Sequence, residues 1–99
     1  MTGIERIAAE RQRQLDQEGW TPEHDNQHTD AALALAALCY LKSAVCCVVD
    51  GDPGEIKNQA GWPWYFAWWK PSADPIRNLE KAGALIAAEI DRLQRKGGK

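Results

Sequence analysis

Residues 30–50 read "DAALALAALCYLKSAVCCVVD", with Lys42 the one charge between two terminal aspartates. A helix of this length that is apolar nearly all round offers no face to water, so other elements must surround it. It is either the central helix of a monomer or a helix that a second subunit helps to bury. The alanines at 31, 32, 34, 36, 37 and 44 predict close contact with another helix. Its last residues, "CCVVD", are small and β-branched, which allows a frayed or strand-like end, and a short turn is expected at "GDPG", residues 51–54.

Working outward, residues 4–18, "IERIAAERQRQLDQE", place Ile4, Ile7, Ala8 and Leu15 on one side of an amphipathic helix that Gly19 stops. "WTPEHDNQHTD", residues 20–30, reads as an ordered loop leading to a cap at Thr29 or an earlier Asp or Asn. On the other side, "DPIRNLEKAGALIAAEIDRLQRK" opens with Asp74 as N-cap and Pro75 at the first helical position. Ile76, Leu79, Ala82 or Gly83, Ile86, Ile90 and Leu93 recur at three-to-four spacing, which predicts one apolar stripe along this last helix. Gly83 costs about 1 kcal/mol against alanine inside a helix, so it predicts close approach by another backbone or a ligand. The expectation is an all-α fold: a single helical domain over residues 1–99, with three main helices, a short aromatic-rich connecting segment and a mobile tail from about residue 95. A chain of 99 residues buries little surface per residue, so a homo-oligomer is expected.

Twelve basic and 14 acidic residues leave a formal charge of -2, which argues against a long nucleic acid as partner, since that needs a dominant basic stripe. A small anion needs only a local pair of cations. The three cysteines, Cys39, Cys46 and Cys47, have no CxxC spacing and no secretory signal beside them, so they read as reduced, buried thiols of a cytoplasmic protein. Cys46 and Cys47 point about 100° apart on a helix and are poorly placed to pair. No run is expected to reach the ~20 apolar residues of a membrane span.

The other conspicuous stretch is "GWPWYFAWWKP", residues 61–71, which holds four of the five tryptophans. Pro63 and Pro71 exclude one long helix here but leave room for a short helix or 3₁₀ turn. The rings are either a plug that completes a small core or a stacking surface for a flat ligand. Lys70, Arg77 and Lys81 stand beside them, with Arg77 and Lys81 four apart on one helix face, positioned to meet phosphate. Asn78 adds an amide able to read a base edge. Trp20, Trp64, Trp68 and Trp69 are the candidate stacking rings, and Arg11 and Arg13 are either a solvated helix face or the second half of an anion site.

His24 and His28 are four apart with Glu23, Asp25 and Asp30 nearby, a pattern open to a metal, a capping role or ligand contact. No third histidine exists and the pair straddles a loop-to-helix junction, so no metal, cofactor or catalytic residue is assigned. A thiolate nucleophile lacks a cationic neighbourhood. All-helical pyrophosphohydrolases hold magnesium through repeated ExxE and ExxD pairs, and the central helix has no carboxylate between its ends. The enzyme alternative is a metal-dependent nucleotide hydrolase using His24, His28, Glu23 and Asp25. The interaction alternative docks a host protein on the tryptophans.

Taken together, "ERQRQLDQEGWTPEHDNQH", "ALAALCY", "WPW", "WWKP" and "RNLEKAGALIAAEIDRL" resemble a widespread set of small proteins encoded by tailed bacteriophages and prophages. The resemblance covers nearly the whole chain. It implies a phage accessory protein of the bacterial cytoplasm and supplies no catalytic residues. Small phage proteins of this kind include oligomeric sponges that sequester cyclic nucleotide signals of host defence systems such as CBASS and Thoeris. By analogy of size, helicity and stacking chemistry, the expected partner is a small nucleotide-like ligand that is bound without being cleaved.

Overall fold

The computed structural model describes residues 1–28, 30–51 and 61–96, and among them it contains helices and no strand. Four α-helices follow in order: α1 (Gly3–Gln17), α2 (Pro22–Asp25), α3 (Ala32–Asp50) and α4 (Pro75–Lys96), with a 3₁₀ turn at Phe66–Trp68 between the last two. The turn expected at residues 51–54 lies outside the described residues after Gly51, as does Thr29. Arg95 and Lys96, expected in a mobile tail, complete α4, and residues 97–99 lie outside the described residues.

Local chemistry sets the ends of these helices. Thr2 and Glu5 form a reciprocal capping box, with Thr2 Oγ1 accepting from the Glu5 N–H at 3.2 Å and Glu5 Oε1 accepting from the Thr2 N–H at 2.8 Å. After α1, Gly19 takes a φ of +70° and Trp20 donates its N–H back to the Gln14 carbonyl, which folds the chain toward α2. Thr21 caps α2 through the His24 N–H, so the expected loop contains a helical turn started by Thr21 and Pro22. Asp74 caps α4 as expected, its Oδ1 accepting from the Ile76 N–H at 2.9 Å. Gly51 ends α3 with a φ of +83°.

α4 is the hub. Its Asn78 meets Ser43 and Cys47 of α3 while Lys81 lies over Tyr40, so α3 and α4 run antiparallel. Glu10 meets Arg77 and Arg6 meets Glu80, so α1 also runs antiparallel to α4, on another of its sides. The core consists of Leu33, Ala36, Ala37, Cys39 and Tyr40 of α3, Ala82, Leu85 and Ala88 of α4, and Trp69. The small residues permit the close helix approach read from the sequence, but Ala32, Ala36, Ala37 and Ala44 serve contacts within this chain. Gly83 is also a close-approach point: a Cβ there would sit 2.6 Å from Ile7 Cδ1. The neighbour is thus a side chain of α1, neither a backbone nor a ligand.

Three sequence expectations are corrected. On α1 the buried positions are Glu10 and Gln14, while Ile4 is 83% exposed. Of the stripe expected from Ile4, Ile7, Ala8 and Leu15, Ile7 does lie against α4, but the inward stripe runs on through positions 10 and 14, which at 100° per residue is rotated from Ile4, Ala8 and Leu15. On α4, Ala82 of the expected stripe is buried, but Ile76, Leu79, Ile86, Ile90 and Leu93 are each 44–51% exposed. Asn78, Leu85, Glu89 and Arg92 face inward beside Ala82, because α4 packs mainly through small and hydrogen-bonded residues, with Leu85 the one large aliphatic side chain among them. Finally, α3 is by length and composition sufficient to cross a membrane, contrary to the expectation that no run is. Half of that apolar window is buried inside the fold.

α3 starts at Ala32 rather than Asp30 because Ala31 adopts the left-handed conformation, with φ +64° and ψ +20°. Asp30 Oδ1 then accepts from the Ala32 N–H at 3.3 Å. Alanine in that region costs about 1–2 kcal/mol, and the Ala31 side chain is exposed, so nothing it touches offsets the strain. Ala31→Gly is expected to raise stability by about 1 kcal/mol, read as a rise of roughly 4–8 °C in Tm; an unchanged or lower Tm contradicts the conformation described.

Candidate functional site

A cleft of about 640 Å³ opens where α1, α2, the aromatic segment and the first half of α4 converge. One wall is aromatic. Trp20, His24, His28, Trp62, Trp64 and Tyr40 line it, with Trp68 at the rim. The other wall is charged and comprises Glu10, Arg13, Glu18, Lys70, Arg77 and Lys81, with Gln14 between the two. Four cations against two carboxylates leave this lining positive.

The aromatic wall is a continuous run of ring contacts that starts in the core. Trp69 is 5% exposed and packs on Tyr40 and Trp62, with centroids 4.8 and 4.9 Å apart. Trp62 meets Trp64 edge-on at 5.4 Å, and Trp64 continues to His28 at 5.2 Å and to Trp20 at 6.1 Å. His24 lies parallel to Trp20 with centroids 6.0 Å apart and touches His28 at 4.9 Å. The stretch is therefore both plug and surface: Trp69 closes the core, Trp62 and Trp64 are half-buried, and Trp68 is 63% exposed. The 3₁₀ turn between Pro63 and Pro71 produces this split by turning Phe66 and Trp68 outward before Trp69 enters the core.

The charged wall hangs on Glu10. Its carboxylate receives two bonds from Arg13, at 2.8 and 2.9 Å, one from Arg77 at 2.6 Å and one from Gln14 Nε2 at 3.3 Å. Burial alone would push this carboxyl up, but the Arg13 and Arg77 hydrogen bonds and charges outweigh it and hold the pKa below the usual carboxylate range. Arg77 also bonds Glu80 at 3.1 Å. Lys81 donates to the Lys70 carbonyl at 2.7 Å and lies 5.3 Å from the Tyr40 ring centroid. Partial burial, helped by the Arg77 charge, lowers its pKa.

Nine of the twelve residues expected at a site from the sequence line this cleft: Arg13, Trp20, His24, His28, Trp64, Trp68, Lys70, Arg77 and Lys81. Three do not, two held by side-chain hydrogen bonds and one packed in the core. Asn78 is fully buried and clamps Ser72 through both halves of its amide, each at 2.7 Å, fixing the entry to α4. Arg11 is tied to the buried Asp25 at 2.6 Å and to the Trp20 carbonyl, which fastens α2 onto α1. Trp69 is in the core. Sequence reading missed Glu10, Gln14, Glu18, Tyr40 and Trp62; the signal was the i, i+4 pair Glu10 and Gln14 flanking Arg13 on a helix otherwise read as a solvated face.

The Asp25 carboxylate is taken by Arg11 and by His24 Nδ1 at 3.2 Å. Among the described residues no group of three or more His, Cys, Asp and Glu is arranged to hold a metal ion. None of the three cysteines is in a disulfide. Comparison with known proteins finds no matching family model, no matching curated protein and no matching solved structure. The functional reading therefore rests on the chemistry of the cleft.

His28 supplies a pH test of this wall. Burial first, and the neighbouring His24 second, hold its imidazole below the ordinary histidine value, against the pull of Asp25 and Asp30. The fold thus favours neutral His28, whereas the unfolded chain takes up the proton near pH ~6.5. This contribution is fully present above that pH and is lost as pH falls toward the lowered value. Tm is expected to fall between pH 7.5 and 5.5, and His28→Gln is expected to flatten that slope; a variant as pH-sensitive as the wild type would place the effect elsewhere.

Proposed function

We propose that this protein binds a small phosphorylated aromatic ligand of the cyclic nucleotide class and sequesters it without cleavage. The observation that carries the reading is one cleft whose lining brings aromatic rings and a net cationic set of side chains together around a nucleotide-sized volume. A base stacks on Trp20, and Trp64, inclined by 60° to Trp20, meets the edge of that base, with His28 and Trp62 packed against Trp64. Its phosphates meet Arg77, Lys81, Lys70 and Arg13. Glu10 keeps Arg77 and Arg13 extended along the wall, so they reach the ligand without first being ordered. Stacking contributes about 1–3 kcal/mol per base. On the resemblance to tailed-phage proteins, the ligand is a host-defence signal and the place of action is the bacterial cytoplasm, which suits three cysteines without a disulfide.

The test is to mix purified protein with cyclic dinucleotides and cyclic ADP-ribose isomers, measure binding, and recover the ligand after heat denaturation. Binding of at least one compound and its recovery intact are expected, with Trp64→Ala weakening it about tenfold or more. No binding to any of them sinks the reading, and recovery of a cleaved product makes the protein an enzyme.

The assembly we propose with this function is a homo-oligomer in which a second copy covers the outer face of α3. Leu38, Leu41, Val45, Val48 and Val49 on that face are 41–73% exposed, and Lys42 is its one charge. A nearly uncharged apolar face is complementary to itself under two-fold symmetry and offers little to a partner that would be selected by charge. Sedimentation of the wild type as a dimer or larger is expected, and Leu38→Glu with Val45→Glu should release monomer. A wild type that sediments as a monomer at micromolar concentration excludes this assembly.

A further inference from the structure

Gln14 is 2% exposed and lines the cleft, yet half of its amide has no partner among the described residues. Its Nε2 faces the Glu10 carboxylate, which accepts hydrogen bonds and donates none while ionised, so the orientation of the amide is fixed. Oε1 is left as a buried acceptor without a donor. Trp64 presents the opposite deficit on the aromatic side of the same cleft: its indole Nε1–H is buried and has no acceptor among the described residues. Trp69 Nε1 is also without a partner, but it lies in the core cluster and does not line the cleft. Buried polar groups in folded proteins are almost always paired, and leaving one without a partner destabilises the fold. Both atoms are closed off from solvent in this structure, so a ligand edge that carries a donor and an acceptor becomes complementary to them once the cleft opens around Gln14 and Trp64.

We infer that Gln14 and Trp64 are the specificity-determining residues of the cleft, Gln14 Oε1 accepting an N–H from the base and Trp64 Nε1 donating to a neighbouring acceptor on it. This rests on the nucleotide reading above and narrows it. The preferred bases carry an unsubstituted N–H donor beside an acceptor, as the amidine edge of adenine and the lactam edge of guanine do. A base alkylated at that donor leaves Gln14 Oε1 unpaired under the ligand and inserts a methyl group against it. Discrimination by a site built to pair with a polar edge exceeds what an apolar pocket achieves.

Calorimetric titration tests this with cyclic di-AMP and cyclic di-GMP against their N6,N6-dimethyladenine and N1-methylguanine counterparts. The expected result is that at least one parent binds and that its alkylated counterpart binds about tenfold or more weakly. Gln14→Met, which keeps the volume but removes the acceptor, should narrow that gap to about threefold or less. Without ligand, its Tm should stay within a few degrees of wild type, since an unsatisfied acceptor leaves together with the bond to Glu10. Equal binding of parent and alkylated compounds overturns the inference while the nucleotide reading stands. Failure of both parents to bind overturns the inference for these bases, and failure of the wider panel of cyclic nucleotides overturns the reading itself. The analogue comparison uses wild-type protein throughout, so it decides the matter even if Gln14→Met does not fold.

Discussion

The Glu10 carboxylate is buried where α1 crosses α4, and two guanidinium groups meet it there, Arg13 from its own helix and Arg77 from the other. Stripping the hydration from such a group costs several kcal/mol, and only well-directed partners recover it. The geometry supplies them, since Arg13 grips both carboxylate oxygens and Arg77 closes on one of them. Removing one partner of such a buried pair typically costs about 3–5 kcal/mol. Three further features follow from this contact. It sets the register in which Ile7 lies on Gly83, it orients the Gln14 amide, and it aligns the arginines along one wall of the cleft.

On its other side α4 meets α3 through small side chains, and this close approach has a cost in coverage. Each alanine in the α3–α4 seam brings the backbones together but buries little area of its own. Most of the larger aliphatic side chains of both helices point away from the seam, as the exposure of Leu38, Val45, Ile86 and Ile90 shows, while Leu33 and Leu85 enter the core. The core gains bulk from the aromatic segment instead, through Trp69 on Tyr40 with Trp62 and Trp64 packed behind. One sequence feature thus completes the core with its last tryptophan and shapes the cleft with its first two.

The sequence made helix boundaries legible wherever a backbone rule acted alone: Asp74 with Pro75, Gly19, and the prolines that confine the aromatic segment. Nine of the expected site residues converge. Trp64, Trp68, Lys70, Arg77 and Lys81 are close in the chain, while Arg13, Trp20, His24 and His28 join them through the contacts of Trp64 with Trp20 and His28 and the bond between Glu10 and Arg77. What periodicity could not show was which stripe of α1 and α4 turns inward. Apolar spacing marked Ile76, Leu79, Ile86, Ile90 and Leu93 as the buried face of α4, but the demand for close packing against α3 selected Ala82, Leu85 and Ala88. Asn78 was misjudged for a related reason: an amide near a phosphate-binding pattern suggests recognition, but both halves of this one hold the Ser72 backbone.

Around the cleft, buried polar groups take over work that apolar packing does elsewhere. Glu10 holds α1, Asp25 holds α2 through Arg11, and Asn78 holds the turn before α4. Apolar contacts at these places would have been less costly to bury, and they would also have tolerated small shifts. Hydrogen-bonded ion pairs and amides do not, because a displacement of a fraction of an ångström leaves a charge or an N–H unpaired. The three junctions that surround the cleft are therefore its most rigid parts. A lining of rings and cations becomes selective only when the distance between them is fixed, and these three buried groups fix it.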